Sequence, residues 1–111
     1  MELVAYVRVS LENENPENQE YAINQWVNET GHRVVEVVRD VGVSGAMAPG
    51  ARPGWRRVIN LLAQGKASGV VVYALDRIAR SLWDMAEVFR EFEQNNWVIF
   101  SVREEWLNAL D

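Results

Sequence analysis

Hydrophobic positions along the chain switch repeatedly between an unbroken apolar run and a helical period. Residues 2–9 hold Leu3, Val4, Ala5, Tyr6, Val7 and Val9 almost without interruption, which predicts a buried strand. Ala22, Ile23, Trp26 and Val27 then recur at helical spacing. Asn15-Pro16-Glu17 reads as that helix's start, with Asn as N-cap, Pro in the first turn and an acid behind it, and Gly31 is placed to end it. Residues 34–38, VVEVV, predict a second strand. The following RDVGVSGAMAPGARPG is rich in Gly, Ala and Pro and reads as a long loop, of a length that usually carries function or motion.

Pro53 opens a second helix with Trp55, Val58, Ile59 and Leu62 as its apolar stripe and Gly65 at its end. GVVVYAL at 69–75 is a continuous apolar run, as expected of a central parallel strand covered on both faces. Ser81-Leu82-Trp83-Asp84 has capping-box form, and Met85, Ala86, Phe89 and Phe92 carry a third helix to about residue 94. WVIFSV at 97–102 predicts a fourth strand, and the tail REEWLNALD is too short to assign. The order βαβαβαβ, with right-handed crossovers, makes an α/β fold: a parallel sheet with helices on both faces.

Composition narrows the function classes. At 111 residues, 49% of them hydrophobic, the chain fits one domain with a genuine core. The absence of cysteine excludes disulfides, thiolate nucleophiles and zinc–cysteine sites. MELVAYVRVS lacks the basic region and cleavable apolar stretch of a signal peptide, and no apolar run reaches the roughly 20 residues of a membrane span. A net charge of −5 argues, by itself, against a nucleic-acid surface. Yet ten of the eleven basic residues are Arg, whose planar fork grips phosphate with paired bonds, so the positions of individual arginines decide.

In an open parallel sheet, ligands bind outside the carboxyl ends of the strands. Arg8 and Ser10 follow the first strand; Asp40 and Ser44 follow the second; Asp76, Arg77 and Arg80 follow the third, and the long loop adds Arg52. Arg8 and Ser10 are two apart and share a face. A buried guanidinium needs a partner, so Arg8 is expected either to pair with Asp40 or Asp76 or to await an anionic ligand. Arg77 and Arg80 lie three apart just before the capping box, and a helix N-terminus there offers its own donors to an anion. Several arginines around a serine, with no histidine nearby, suit attack by the hydroxyl on a phosphodiester whose charge the guanidiniums neutralise.

Other chemistries fit poorly. His32, the single histidine, lies between a helix-ending Gly and a strand and reads as a surface residue at the opposite sheet edge, too far for a Ser-His-Asp triad. GVSGA is not a nucleophile elbow, and there is no P-loop, dinucleotide fingerprint or metal-ligand spacing. The aromatic residues read as core, with Trp106 left unplaced.

The motifs Tyr6-Val7-Arg8-Val9-Ser10, Asn18-Gln19, Asp40 to Gly45, Arg52-Pro53-Gly54 and Leu75 to Ser81 occur in an order that resembles the catalytic domain of serine site-specific recombinases, the resolvase/invertase family. The resemblance runs from residue 3 to about 102. It implies a three-layer domain with strand order 2-1-3-4. It implies that Ser10 attacks DNA to form a 5′-phosphoserine link, releases a 3′-hydroxyl and reverses the step to rejoin the strands, with neither metal nor other cofactor. It further implies that Arg8, Arg52, Arg77 and Arg80 bind the scissile phosphate, that Asp76 orients an arginine or handles a proton, and that Gln19, Asp40 and Ser44 complete the pocket. The base for Ser10 is not assigned.

Family members continue into a long oligomerisation helix and a DNA-binding domain; both are expected to be absent from these 111 residues, which read as one catalytic domain, either excised or a short natural relative. The resemblance therefore implies DNA and a homodimer or tetramer as partners only in a full-length context. The 111 residues alone are expected to bind DNA weakly, to be monomeric or weakly associated, and not to recombine DNA unaided. A cytoplasmic, mobile-element, prokaryotic or viral setting follows from the same resemblance, with no membrane role. Two other readings compete: a non-catalytic regulatory module that keeps the fold, and a flavodoxin- or receiver-like phosphate binder. Ser10 kept together with four arginines disfavours the first, and Arg-x-Ser in place of acids or a phosphate-cradling loop disfavours the second. The APGARPG loop is expected to move and to leave Arg52 away from Ser10 in an unliganded state.

Overall fold

The computed structural model describes residues 1–11 and 15–108. Four parallel strands, β1 (Glu2–Val9), β2 (Arg33–Val41), β3 (Gly69–Val72) and β4 (Val98–Ser101), form one sheet in the order β2-β1-β3-β4. That is the expected order and direction. Helix α1 (Glu17–Thr30) covers one face, where Leu3, Ala5, Val7 and Ile23 are buried with Val71 and Phe100. Helices α2 (Pro53–Ala63) and α3 (Leu82–Gln94) cover the other, where Val4 and Tyr6 meet Trp55, Val58, Leu62 and Phe92. Tyr6 stands edge-on to Trp55 at 5.1 Å, and Trp55 stacks near Phe92 at 6.0 Å. Contacts of this kind add about 0.5–1.5 kcal/mol each beyond burial. No helix among the described residues is long and apolar enough to cross a membrane.

The boundaries differ from the apolar pattern in instructive places. β2 runs on to Val41 because it stays in register with β1 through Val9, so the following loop is shorter than its Gly/Pro composition suggests. A 3-10 turn at Pro49–Ala51 shortens it further. β3 stops at Val72 although the apolar run continues to Leu75, because Leu75 already begins a 3-10 turn, Leu75–Arg77. α1 starts at Glu17 rather than Pro16, yet Asn15 Oδ1 still accepts the Glu17 N–H at 2.9 Å. Gly31 ends that helix as expected, with φ of 77° and its N–H on Val27 O. The tail forms a short helix, α4 (Glu105–Asn108).

His32 is not the free surface residue the sequence suggested. Its ring stacks on Trp26 at 5.2 Å and lies 4.8 Å from Phe100, because those two rings leave an apolar seat at the amino edge of the sheet. Burial and the nearby positive N-terminus hold its imidazole below the ordinary range. Nor are all the aromatics core: Trp83 is 82% exposed, since Val88 and Phe92 occupy the inward face of α3 and Trp83 falls well around the helix from them.

Candidate active site

β1 alternates its side chains between the faces, so Arg8 follows Val4 and Tyr6 onto the α2–α3 side. The Arg8 side chain is completely buried. Its Nη1 donates to Ser10 Oγ at 2.8 Å and to Val43 O at 2.9 Å; Nη2 donates to Asp76 O at 3.1 Å and Nε to Arg77 O at 3.2 Å. The expected carboxylate partner is therefore absent: neither Asp40 nor Asp76 meets Arg8 through its side-chain oxygens. Backbone carbonyls and one hydroxyl take their place, because three loop segments converge on the end of β1.

Asp40 faces Arg8 in strand register but serves a different group. Its carboxylate accepts from Tyr6 Oη at 2.7 Å, Gly54 N at 2.8 Å and Trp55 N at 3.1 Å. Helix α2 has no side-chain cap of its own, so this carboxylate from β2 supplies one, at the end where the helix dipole favours negative charge. Gly54 makes room for it: a Cβ there would lie 2.6 Å from the Asp40 carboxyl carbon. Asp40→Ala is expected to strand two helix N–H groups and a buried phenol, and to lower unfolding free energy by about 3 kcal/mol or more. Asp40→Asn should lose less. Urea unfolding monitored by tryptophan fluorescence checks both, and two variants as stable as the parent would refute the capping role.

Tyr6 is the other hydroxyl near this end of the sheet. Burial first, and then its hydrogen bond to Asp40, raise its pKa above the usual phenol range. Its proton is committed and it has no exposed surface, so Tyr6 is not available as a nucleophile.

Arg52 is also fully buried. Nε and Nη2 donate to Met47 O at 3.1 and 2.9 Å, Nη2 to Gly45 O at 3.3 Å, and Nη1 to Arg77 O at 2.9 Å and Tyr6 Oη at 3.4 Å. Its whole fork is occupied, and none of these bonds reaches Ser10. Arg52 is caged by carbonyls rather than carried on an open loop. The Arg77 carbonyl receives N–H groups from both Arg8 and Arg52.

The remaining residues divide. Arg77 turns back so that Nη1 donates to Arg8 O at 3.2 Å, while Nε pairs with the exposed carboxylate of Asp76 at 3.1 Å. Gln19, buried in the first turn of α1, donates to the same Arg8 carbonyl at 3.0 Å, and its Oε1 is a buried acceptor with no partner among the described residues. Arg80 is exposed and makes no ion pair or hydrogen bond among the described residues, yet it lies against Gly45: a Cβ there would be 2.7 Å from Arg80 Nε and 2.8 Å from Arg8 Nη2. Ser44 stands outside the cluster. It is exposed, and its Oγ accepts from Ala46 N at 3.1 Å, a local turn contact. The N-terminus of α3 is also occupied: Ser81 Oγ accepts from Trp83 N and Asp84 N at 3.1 and 3.3 Å, so those donors are not open to an anion.

Charge is distributed unevenly around this geometry. At the surface, Arg33, Arg39 and Arg57 each pair with a glutamate. Arg8, Arg52 and Arg80 pair with no carboxylate among the described residues. Burial first, and then the neighbouring Arg52 and Arg77, lower the pKa of Arg8. A cationic cluster that repels itself and holds one half-buried hydroxyl is a place where an oxyanion would relieve strain.

Residues 3–110 match the family model described as the resolvase N-terminal domain. The chain belongs to the resolvase family. No curated protein sequence matches it significantly. The N-terminal catalytic domain of TP901-1 integrase superposes with a TM-score of 0.87 at 28% identity, covering 94% of this chain and 79% of that one. The C-terminal catalytic domain of ISC1926 TnpA, an IS607-like serine recombinase, gives 0.82 at 25% identity, covering 95% and 69%. A resolvase-family site-specific recombinase from Streptococcus pneumoniae gives 0.81 at 21% identity, covering 100% and 78%, a likeness in fold alone. The resolvase-family domain thus has the fold of a serine recombinase catalytic domain.

Sequence reasoning missed three parts of this resolvase site. Gly45 closes the Asp40-to-Gly45 motif, but its neighbours Arg8 and Arg80 are remote in sequence, so their close approach to it was not legible. The Tyr6–Asp40 bond spans two strands, and only the register pairing reveals it. Glu104, whose carboxylate accepts the Leu75 N–H at 2.8 Å beside the turn that carries Arg77, lies in a tail that showed no periodicity, so nothing in the sequence singled it out.

Proposed function

We propose that the chain cleaves and rejoins DNA with Ser10 as nucleophile. Ser10 Oγ attacks phosphorus; an O–P bond to serine forms, the bond from phosphorus to the 3′-oxygen breaks, and the departing oxygen takes a proton to become a 3′-hydroxyl. The 5′-phosphoserine link conserves the phosphodiester's energy, so the reverse attack rejoins the strands without a nucleotide cofactor. The observation that carries this reading is the 2.8 Å bond from Arg8 to Ser10 Oγ inside a cationic cluster in which, among the described residues, only Arg77 has a carboxylate partner. A cationic donor on that oxygen favours its ionised form.

In this reading Arg8, Arg77 and Arg80, the last unpaired among the described residues, meet the non-bridging oxygens of the scissile phosphate. Asp76 holds Arg77, and the buried Gln19 Oε1 is an acceptor beside the Arg8 carbonyl. Arg52 and Asp40 act behind them, one bracing the two loops and the other capping α2. Ser44 contributes by shaping its loop. The partner is DNA, engaged by a dimer or tetramer of the protein that carries this domain.

The test is a suicide duplex bearing the protein's own recombination site, incubated with that protein and resolved on a denaturing gel. A covalent protein–DNA band is expected with the parent and with Ser44→Ala, and none with Ser10→Ala. An undiminished band from Ser10→Ala would reject the assignment.

A further inference from the structure

β4 ends at Ser101, but the chain keeps alongside the segment that leaves β3. Val102 N donates to Val72 O at 3.0 Å and Arg103 N to Tyr73 O at 2.9 Å. Leu75 N then finds a side chain instead of a backbone carbonyl: Glu104 Oε1, at 2.8 Å. The same oxygen accepts the Ser101 hydroxyl at 2.7 Å, and Ser101 Oγ accepts the Glu104 N–H at 3.2 Å. Asn108 closes the arrangement from α4, with Oδ1 accepting from Ser101 N at 3.0 Å and Nδ2 donating to Ser101 O at 2.9 Å. Besides Leu75 N, the carboxylate thus takes the Ser101 hydroxyl, and Asn108 fixes the Ser101 backbone that presents it.

Leu75 is the first residue of the turn that carries Asp76 and Arg77 and leads to Arg80. The next two carbonyls of that turn receive Arg8 Nη2, Arg8 Nε and Arg52 Nη1. One side of the turn is thus fixed by two buried guanidiniums that repel each other, and the other side by Glu104. We infer that Glu104 is a positioning residue for the arginine cluster: through Leu75 it sets where Arg77 and Arg80 stand relative to Ser10, and it ties the segment leaving β4 to the site. The inference rests on the reading of Ser10 and the arginines given above. What matters in Glu104 is an acceptor oxygen at the right reach, since both donors meet a single oxygen; its charge is secondary. Misplacing a reacting group by an ångström costs on the order of a hundredfold in rate, so the contact has leverage well beyond its own strength.

Two variants separate reach from charge. Glu104→Gln keeps the oxygen and loses the charge; Glu104→Asp keeps the charge and loses one methylene of reach. Amide hydrogen exchange on this chain should rise about tenfold or more at Arg77, Ile78 and Ala79 in Glu104→Asp, with β1 unchanged, and stay near the parent in Glu104→Gln. Single-turnover adduct formation by the protein that carries the domain should slow about tenfold or more in Glu104→Asp, with DNA affinity held, and remain within about threefold of the parent in Glu104→Gln. The inference is overturned if Glu104→Gln is the more damaged variant, if exchange in the turn does not change, or if the turn loosens while adduct formation keeps its parental rate. A parent protein that forms no adduct would defeat the Ser10 reading separately, and the exchange comparison still decides whether Glu104 holds the turn.

Discussion

Arg8→Ala is expected to reduce single-turnover adduct formation by about a thousandfold or more while leaving a folded protein. The loss is large because one side chain supplies the donor on Ser10 Oγ and, at the same time, the bonds that hold Val43, Asp76 and Arg77 around it. Stability should fall less, by about 1–3 kcal/mol. The stranded carbonyls cost free energy, but removing a buried cation from beside Arg52 and Arg77 returns part of it, and water can enter next to half-buried Ser10. Arg8→Lys should stay within about tenfold of the alanine variant, because a single ammonium cannot serve four acceptors in a plane. Adduct kinetics and urea unfolding on the same preparations check both halves. A lysine variant with near-parental kinetics would mean that charge alone, not the fork, is what Arg8 contributes.

The second large effect is expected from one methyl group. In Gly45→Ala the new carbon would sit 2.7 Å from Arg80 Nε and 2.8 Å from Arg8 Nη2, well inside ordinary contact distance. Arg8 is sealed by four hydrogen bonds and cannot retreat; Arg80 is exposed and can swing outward. The outward swing of Arg80 relieves only one of the two contacts, so stability should fall by about 1–3 kcal/mol with the fold kept, while the site loses the Arg80 guanidinium and adduct formation drops about a hundredfold. Gly50→Ala is the matched control, since a Cβ there meets nothing within 4 Å. Equal rates for the two variants would show that the close approach of Arg80 to Arg8 is irrelevant to the chemistry.

Much of the architecture was legible because its signals are local. The unbroken apolar run at 2–9, the Pro53 helix start and the Ser81 cap each act over a few residues, and all three hold. Strand order followed from the topology implied by the family motifs. Failures arose where a distant group changes a local outcome. The run at 69–75 is apolar to its end, but a carboxylate from residue 104 draws Leu75 out of the sheet and into a turn. His32 looks exposed in sequence and is half-buried, because Trp26 and Phe100 come together only when α1 packs on β4.

The candidate site shows the same division. Which residues gather at the carboxyl edge of the sheet could be read from motif positions, and Ser10, Arg8, Arg77 and Arg80 do gather there. How they divide the work could not. Asp40 looked like a counter-ion for Arg8, and the register even sets the two opposite each other, yet the open N-terminus of α2 and the Tyr6 hydroxyl are better partners for that carboxylate. The result is a buried arginine held by neutral acceptors. At the surface, by contrast, the paired glutamates cover arginines and stay away from the cluster.

One covalent event at one atom, Ser10 Oγ, defines the proposed activity. Trapped adduct, digested with nuclease and protease and sequenced by mass spectrometry, measures it directly. A nucleotide joined through a 5′-phosphate to Ser10 is the predicted result. A nucleotide on Ser44, on Tyr6 or on any other side chain would contradict it.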